Sequence, residues 1–266
     1  MLSSKKIVLT GASSGIGLEV LKLIAAEKSN LILAVSRHAV EKLTGFSENV
    51  VPFDADISSA AGVDSVFDKA NEVFGGAKID IFYANAGFPY YEEYNYANWD
   101  RILKMFETNT VSPMYTYGKY IEHLAGREGV LAITVSAIGQ MAMPGYAVYS
   151  ASKFALHGFQ QAMRLEKPDN LQITCLYPVA TDTNFFKVAN EIPFEKPFPV
   201  QQPDVVARKM VKGIESGKKA VSPCALFAVS KVLMGVLPPV RTVYWKLEND
   251  KLKRFSEKLK GLKGGK

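Results

Sequence analysis

Cysteine is scarce: 266 residues contain only Cys175 and Cys224, far apart and outside any metal-ligand spacing. That argues against a disulfide framework or a structural zinc site, and both residues read as buried thiols in a reducing compartment. No leader is expected, because Met1-Leu2-Ser3-Ser4-Lys5-Lys6 leaves no room for an apolar stretch before the first strand. The expected address is cytoplasmic. The apolar stretch 225–237 ends in Pro238-Pro239 and falls short of the ~20 residues a spanning helix needs. Repeats, low-complexity runs and Ser/Pro-rich linkers are absent ahead of the last quarter. The net charge of +6 is a tail property: residues 246–266 hold eight Lys/Arg against three acids. The rest is nearly neutral, so no nucleic-acid partner is expected.

What is present is the composition of a soluble globular chain, 48% hydrophobic and 22% charged, at a length that fits one α/β domain. Short β-branched runs alternate with amphipathic helical segments, the pattern of a doubly wound parallel sheet. Strands are expected at 6–10, 31–36, 50–54, 79–84, 130–136 and 171–177, with a weak last one at 219–222. Several are apolar almost throughout, as strands covered on both faces should be. Helices are expected at 15–28, at about 98–124 and at about 149–166, where Pro168 stops the run. Residues 183–200 are rich in Phe and Pro and read as an irregular, mobile loop over a site.

Gly11, Gly15 and Gly17 stand in Thr10-Gly11-Ala12-Ser13-Ser14-Gly15-Ile16-Gly17, between the first strand and a helical pattern. A glycine triplet alone reads equally well as a plain turn. In this position Gly11 permits a tight turn, Gly15 lets backbone approach a pyrophosphate and Gly17 allows close helix–sheet packing. The helix N-terminus then offers N–H groups and a positive dipole to phosphates. Dinucleotide sites that prefer NAD usually carry a carboxylate at the end of the second strand. Here Ser36 fills that slot without charge, and Arg37 can bond a 2′-phosphate. NADP(H) is the expected cofactor, the alternative for Arg37 being a solvated surface side chain.

Tyr149 and Lys153 lie four residues apart, one turn along a helix face. A free phenol has a pKa near ~10. A neighbouring ammonium and an oxidised nicotinamide both favour tyrosinate, which would let Tyr149 exchange a proton near neutral pH. Ser136 is expected to close a buried strand at the end that faces the ligand crevice, where a hydroxyl can donate to a substrate oxygen. Taken singly, the pair reads as a solvated helix face and Ser136 as a strand-end cap.

Together these pieces resemble the short-chain dehydrogenase/reductase family over roughly residues 5–222. The glycine loop, Asp56 in Asp54-Ala55-Asp56-Ile57, the Asn85-Ala86-Gly87 turn, Asn109, Ser136 and Tyr149-Ser150-Ala151-Ser152-Lys153 stand in family order. The resemblance implies a single Rossmann-type domain with a mostly parallel sheet of six or seven strands and a C-terminal extension from 223. It implies that Tyr149 donates the proton in reduction and accepts it in oxidation. Lys153 would lower the pKa of Tyr149 and bind the nicotinamide ribose, while Ser136 would hold the substrate carbonyl. Asn109 would kink its helix and hold a water that continues a proton relay. Asp56, with Ile57 beside it, would hydrogen-bond near the adenine, and Asn85 would brace the sheet beside Ala86 and Gly87. Ser13, Ser14 and Ile16 complete the phosphate loop. Thr181 and Thr183 are candidates for carboxamide and phosphate contacts, Thr183 being the better match.

Two departures stand out. Ala84 replaces the first of two asparagines common in the family. Pro178-Val179 stands where Pro-Gly is usual, which leaves the path of the chain beside the nicotinamide open, since Val179 takes a positive φ only with strain. The expected pocket rim is Phe88, Pro89, Tyr90, Ala137, Met141 and Met143, joined from the later loop by Pro178, Val179, Phe185 and Phe186. This wall is apolar and lacks a carboxylate clamp, so a hydrophobic ketone or alcohol, lipid-like or steroid-like, is expected. Ordinary loop packing is the bland alternative. A 3-oxoacyl or small-carbonyl reductase ranks lower, because carrier-protein reductases usually end soon after the last strand.

In the extension, Trp245, Leu252, Phe255, Leu259 and Leu262 recur at helical offsets with lysines opposite. Such a helix either lies on an anionic membrane as a peripheral contact or packs on protein. The helices at 98–124 and 149–166 are those that pair across subunits in the family, which implies a homodimer or homotetramer. The residues serve oxidation and reduction equally. A non-catalytic NADP(H)-binding scaffold is the alternative from another class, disfavoured because Asn109, Ser136, Tyr149 and Lys153 are all present.

Overall fold

The computed structural model describes residues 2–190 and 192–263; Met1, Glu191 and the tail end at 264–266 lie outside it. The chain runs β1 (Lys6–Thr10), α1 (Gly15–Ala25), β2 (Leu31–Ser36), α2 (Ala39–Lys42), β3 (Val50–Asp54), α3 (Ala60–Val73) and β4 (Ile81–Ala84). It continues with α4 (Trp99–Phe106), α5 (Ser112–Leu124), β5 (Gly129–Thr134), α6 (Ala147–Glu166), β6 (Leu171–Leu176), β7 (Ala180–Thr181) and α7 (Phe185–Ala189). The last elements are β8 (Val200–Gln201), α8 (Pro203–Glu215), β9 (Ala220–Val221), α9 (Ala225–Val236) and α10 (Pro238–Lys263).

Seven strands form one parallel sheet in the order β3-β2-β1-β4-β5-β6-β9. Because the order reverses between β1 and β4, a crevice opens at their carboxyl ends. Val8, Leu9, Leu33 and Ala34 are fully buried, since helices cover both faces of the sheet. On one face Val20, Leu21 and Ile24 of α1 meet Val206, Met210 and Ile214 of α8. On the other, Val63, Val66 and Phe67 of α3 pack with Tyr120 and Leu156. A third cluster is aromatic and joins Tyr91, Tyr146 and Tyr149 to Leu252 and Phe255 of α10.

The expected strands form, with shifted ends. β4 begins at Ile81 rather than 79, and β6 stops at Leu176. β5 ends at Thr134, so Ser136 lies beyond the strand instead of closing it; its φ of 113° cannot continue a sheet. The helix expected at 15–28 ends at Ala25, and α6 starts two residues before Tyr149. The run 98–124 is helical and capped by Asn98, whose side chain accepts from the Arg101 N–H, but a π turn at Glu107–Val111 interrupts it. Pro113 follows that turn and has no N–H to give to an α-helical ladder. Residues 183–200 are not wholly irregular, because α7 forms within them. The segment is clasped at its base, where β7 pairs with β8.

Candidate active site

At the carboxyl ends of β1 and β4 the chain is held by backbone proximity. A side chain at Gly17 would put its Cβ 2.1 Å from the Gly11 carbonyl oxygen, and one at Gly11 would lie 2.9 Å from the Ala86 Cα. Gly11 and Gly15 have φ of 68° and 56°, which favour glycine. Ser14 caps α1 without a side-chain hydrogen bond, leaving first-turn N–H groups of the helix available beside the cleft that Ser13, Ser14, Gly15 and Ile16 line. Asn85 ties three strands: its Nδ2 donates to the Thr10 carbonyl at 3.2 Å, and its Oδ1 accepts from the Thr134 hydroxyl at 2.9 Å. With one asparagine at this turn, the brace from β1 to β5 is complete.

At the far end of β2, the Ser36 hydroxyl oxygen is buried with no hydrogen-bond partner, and exposed Arg37 follows it. Burial acts to raise the Asp56 pKa, but hydrogen bonds from Ser58 and the field of Arg37 outweigh it and hold the carboxyl below its usual range. Ser36, Arg37, Asp56 and Ile57 all border the same cleft, a cavity of about 400 Å³. His38 and Lys42 border it as well. Neither is among the sequence candidates, although Lys42, a cation shortly after an uncharged slot, is readable as a further anion contact.

In the middle of the cleft, Ser136 and Tyr149 line the same wall, and Tyr149 is buried. Burial pushes the Tyr149 phenol up to about 12, and the Ser136 hydroxyl near it offsets part of the rise. Lys153 is also buried, and desolvation brings its ammonium down to about 7 while Nζ donates to the Thr134 carbonyl at 3.1 Å. Nζ stands 6.0 Å from the Tyr149 ring centroid. Loss of water on burial is the largest influence on both groups. Asn109 sits within the π turn, one of the places where such turns gather function. Its Oδ1 accepts from the Phe88 N–H at 3.0 Å and its Nδ2 donates to the Phe88 carbonyl at 2.9 Å. It does not reach the main cleft. It borders, with Lys153, a separate cavity of about 10 Å³.

Residues 5–192 match the model of the short chain dehydrogenase family. The chain belongs to that family. It is 32% identical over 236 residues to 3-dehydrosphinganine reductase of Danio rerio, covering 81% of this chain and 70% of the relative. It is 28% identical over 247 residues to 17-beta-hydroxysteroid dehydrogenase 13 of Rattus norvegicus, covering 89% and 80%. In fold it is similar to a solved short-chain dehydrogenase/reductase from Burkholderia phymatum in complex with NAD, with a TM-score of 0.79 and 16% identity, covering 91% of this chain and 97% of that one. This short-chain dehydrogenase is thus an oxidoreductase on a Rossmann-like, nucleotide-binding α/β fold.

The dehydrogenase's apolar wall differs from expectation at two residues. Phe88, Ala137, Met141, Met143, Phe185 and Phe186 line the cleft, as do Pro178, Val179, Thr181 and Thr183. Tyr90 and Pro89 do not. The Tyr90 ring is covered by the Arg101 guanidinium, 3.4 Å above its centroid, and Arg101 is fixed by a two-pronged bond to Glu92. Gly17 lies behind the cleft wall, in its packing role, and Ala86 and Gly87 line the wall itself. Val179 avoids a positive φ: among the described residues, only Ser4, Ala125 and Ser136 take one without being glycine. The turn is tied instead by the Ala137 N–H donating to the Pro178 carbonyl and the Thr181 hydroxyl donating to the Val179 carbonyl, both at 2.9 Å.

Phe227 of α9 and Tyr244 of α10 border the cleft too, with Tyr146 and Phe198. Sequence reading missed these four; Phe227 and Tyr244 reach the mouth only through the fold-back of the extension. The stripe of Leu252, Phe255 and Leu259 turns inward onto the aromatic cluster, and the Trp245 indole donates to the Ala142 carbonyl at 2.8 Å. That face is spent on protein packing, and only Leu262 of the series is exposed.

Proposed function

We propose that this chain is an NADP(H)-dependent oxidoreductase acting on a ketone or secondary alcohol carried by an apolar, lipid-like or steroid-like molecule. The observation that carries the reading is that Ser136, Tyr149 and Lys153 line one cleft, walled by Phe88, Met141, Met143 and Phe185. The names of the two relatives, a sphinganine reductase and a hydroxysteroid dehydrogenase, support a substrate of that class.

The residues present fit a nicotinamide dinucleotide. The Gly11–Gly17 cradle would be filled by any Cβ, the α1 terminus has no side-chain cap, and the orphaned Ser36 hydroxyl lies at the adenosine end. When bound, the dinucleotide supplies or accepts the hydride. Arg37, with no carboxylate at Ser36, selects the 2′-phosphate of NADP(H). Asp56 and Ile57 hold the adenine end, Asn85, Ala86 and Gly87 flank the centre, and Pro178, Val179, Thr181 and Thr183 flank the nicotinamide end.

Tyr149 keeps its proton at neutral pH and can donate it to a carbonyl. Ser136 donates a hydrogen bond to the same oxygen as charge develops on it. Lys153, close to neutrality in its pKa, passes protons toward the cavity beside Asn109, whose size admits about one water molecule. Residues 1–222 form the catalytic unit, with 183–200 as its substrate loop and 223–266 as an extension. A homodimer through α4–α5 and α6 is part of the same reading, supported by exposed Val111 in the π turn and Tyr115, Phe154 and Leu165 on those helices. So is a cytoplasmic address with peripheral membrane contact.

The test is oxidation of NADPH and NADH side by side, with ketones from short and polar to long and apolar. NADPH-selective turnover that rises with hydrophobicity is expected, falling about 10²–10⁴-fold in Tyr149→Phe with NADPH binding retained. Tight NADPH binding without turnover of any ketone or alcohol would favour a non-catalytic binding protein. Preference for polar short-chain carbonyls would overturn the substrate class.

A further inference from the structure

The helix α9, Ala225-Leu-Phe-Ala-Val-Ser-Lys-Val-Leu-Met-Gly-Val236, is apolar nearly all round. A helix of that kind is ordinarily buried on every side, in a protein core or in lipid. Here only Phe227 is buried, while Leu226, Val229, Val232, Leu233 and Val236 are exposed, Val229 by 68% and Val236 by 72%. The patch runs past Leu237 into the first turns of α10, where Val240 and Val243 are exposed as well. Among the described residues no single helix is long and apolar enough to cross a membrane, and α9 and α10 meet at a bend of 119°. Contiguous apolar surface of this kind marks a docking face.

Two observations say what docks there. From residue 225 to 247 the sequence has Lys231, Arg241 and Lys246 and no carboxylate, the charge pattern that complements an anionic surface. The patch is also continuous with the mouth of the cleft. Phe227 and Tyr244 border the cleft from the hairpin side, the Tyr244 hydroxyl donates to the Phe198 carbonyl at 2.8 Å, and the Phe198 ring stands 64% exposed at the rim. The elements that support self-association, α4–α5 and α6, are separate from the hairpin.

We propose that the bent α9–α10 hairpin seats this protein on an anionic lipid bilayer, with the cleft mouth against the membrane so that an apolar carbonyl compound enters from lipid rather than from water. The second half of the statement rests on the function proposed above; the first half does not. The docking face is the outer side of α9 and the start of α10, not the stripe of Leu252, Phe255 and Leu259.

The experiment is flotation of the full chain with vesicles of phosphatidylcholine, with and without phosphatidylglycerol, at low salt, for wild type and for V229D/V236D. Both positions are exposed and border neither cavity described above, and unchanged melting temperature and NADPH affinity show that the variant is folded. Wild type is expected to float with the anionic vesicles and the variant to bind about tenfold less or weaker still. Turnover of a long-chain ketone dissolved in those vesicles falls with it, while turnover of a water-soluble ketone is unchanged. Failure of wild type to bind anionic vesicles, or equal binding by the variant, overturns the proposal. So does a wild-type dimer that V229D/V236D dissociates without any vesicle binding, which would give the face to a second copy. Vesicle binding lost in the variant, with no turnover of any ketone, overturns the functional reading and leaves the docking face standing.

Discussion

The two ends of the cleft are built by different means. At the dinucleotide end, backbone meets backbone: Gly17 against the Gly11 carbonyl, Gly11 against Ala86, and Asn85 lashing β1 to β5. At the other end, side chains from distant segments fill a volume: Tyr91 stacks on Phe194 at 4.1 Å and Phe255 leans on both. A wall of the first kind tolerates no added atom, and a wall of the second kind tolerates no lost one. Tyr149 belongs to the second, through its place in the aromatic cluster.

Removing atoms from the side-chain wall gives the largest effect. Phe255→Ala should destabilise the fold by about 3–5 kcal/mol. Activity should fall through displacement of Tyr149 while NADPH affinity in the folded fraction stays close to wild type. Chemical denaturation and fluorescence titration of NADPH measure the two separately, and a parallel loss of cofactor affinity would dissolve the distinction between the ends.

Adding one atom to the backbone wall comes next. Gly17→Ala must push its Cβ away from the Gly11 oxygen, at a cost of about 1–3 kcal/mol. Weaker NADPH binding is expected, with the KM for an apolar ketone little changed; steady-state kinetics on both substrates decide it.

The smallest effect sharpens the boundary, where Lys153 stands. Its pKa is depressed from 10.5 to about 7 by burial, so between those values the unfolded chain holds a proton that the folded chain has released. Stability of the wild type therefore rises with pH across that window, and the burden is full below about 7. Lys153→Met should be more stable than the wild type at pH 6, and the difference should fade by pH 10. Thermal melts over that range test it, and a pH-independent difference would show that the ammonium is not the cause.

The same contrast decides what the sequence revealed. The dinucleotide end was legible because its constraints lie within a few residues of one another: the glycine spacing, the uncharged Ser36 before Arg37, and the Asn85-Ala86-Gly87 turn all border the cleft or pack behind it. The sheet was legible because two-sided burial writes unbroken apolar strands. Ser136 was found, but its place past the strand was not, since a positive φ at serine leaves no compositional trace. Tyr90 was lost to Arg101, whose partner Glu92 is visible only in three dimensions. The periodicity of α10 gave the stripe of Leu252, Phe255 and Leu259, yet periodicity does not say which surface a stripe meets. Phe227 and Tyr244 became wall residues only through the fold-back of the extension.

One feature of Ser136 reaches beyond chemistry. Its backbone, at φ 113° and ψ 147°, lies where glycine rests easily and serine is strained by roughly 1–3 kcal/mol. Some serine codons become glycine codons by a single nucleotide change, and the protein so made would fold at least as firmly. Mutation thus has a short downhill path at this position toward a sturdier chain without the hydroxyl. Screens that select variants for thermal robustness alone will tend to take it, and lineages that keep the serine do so against their own folding stability.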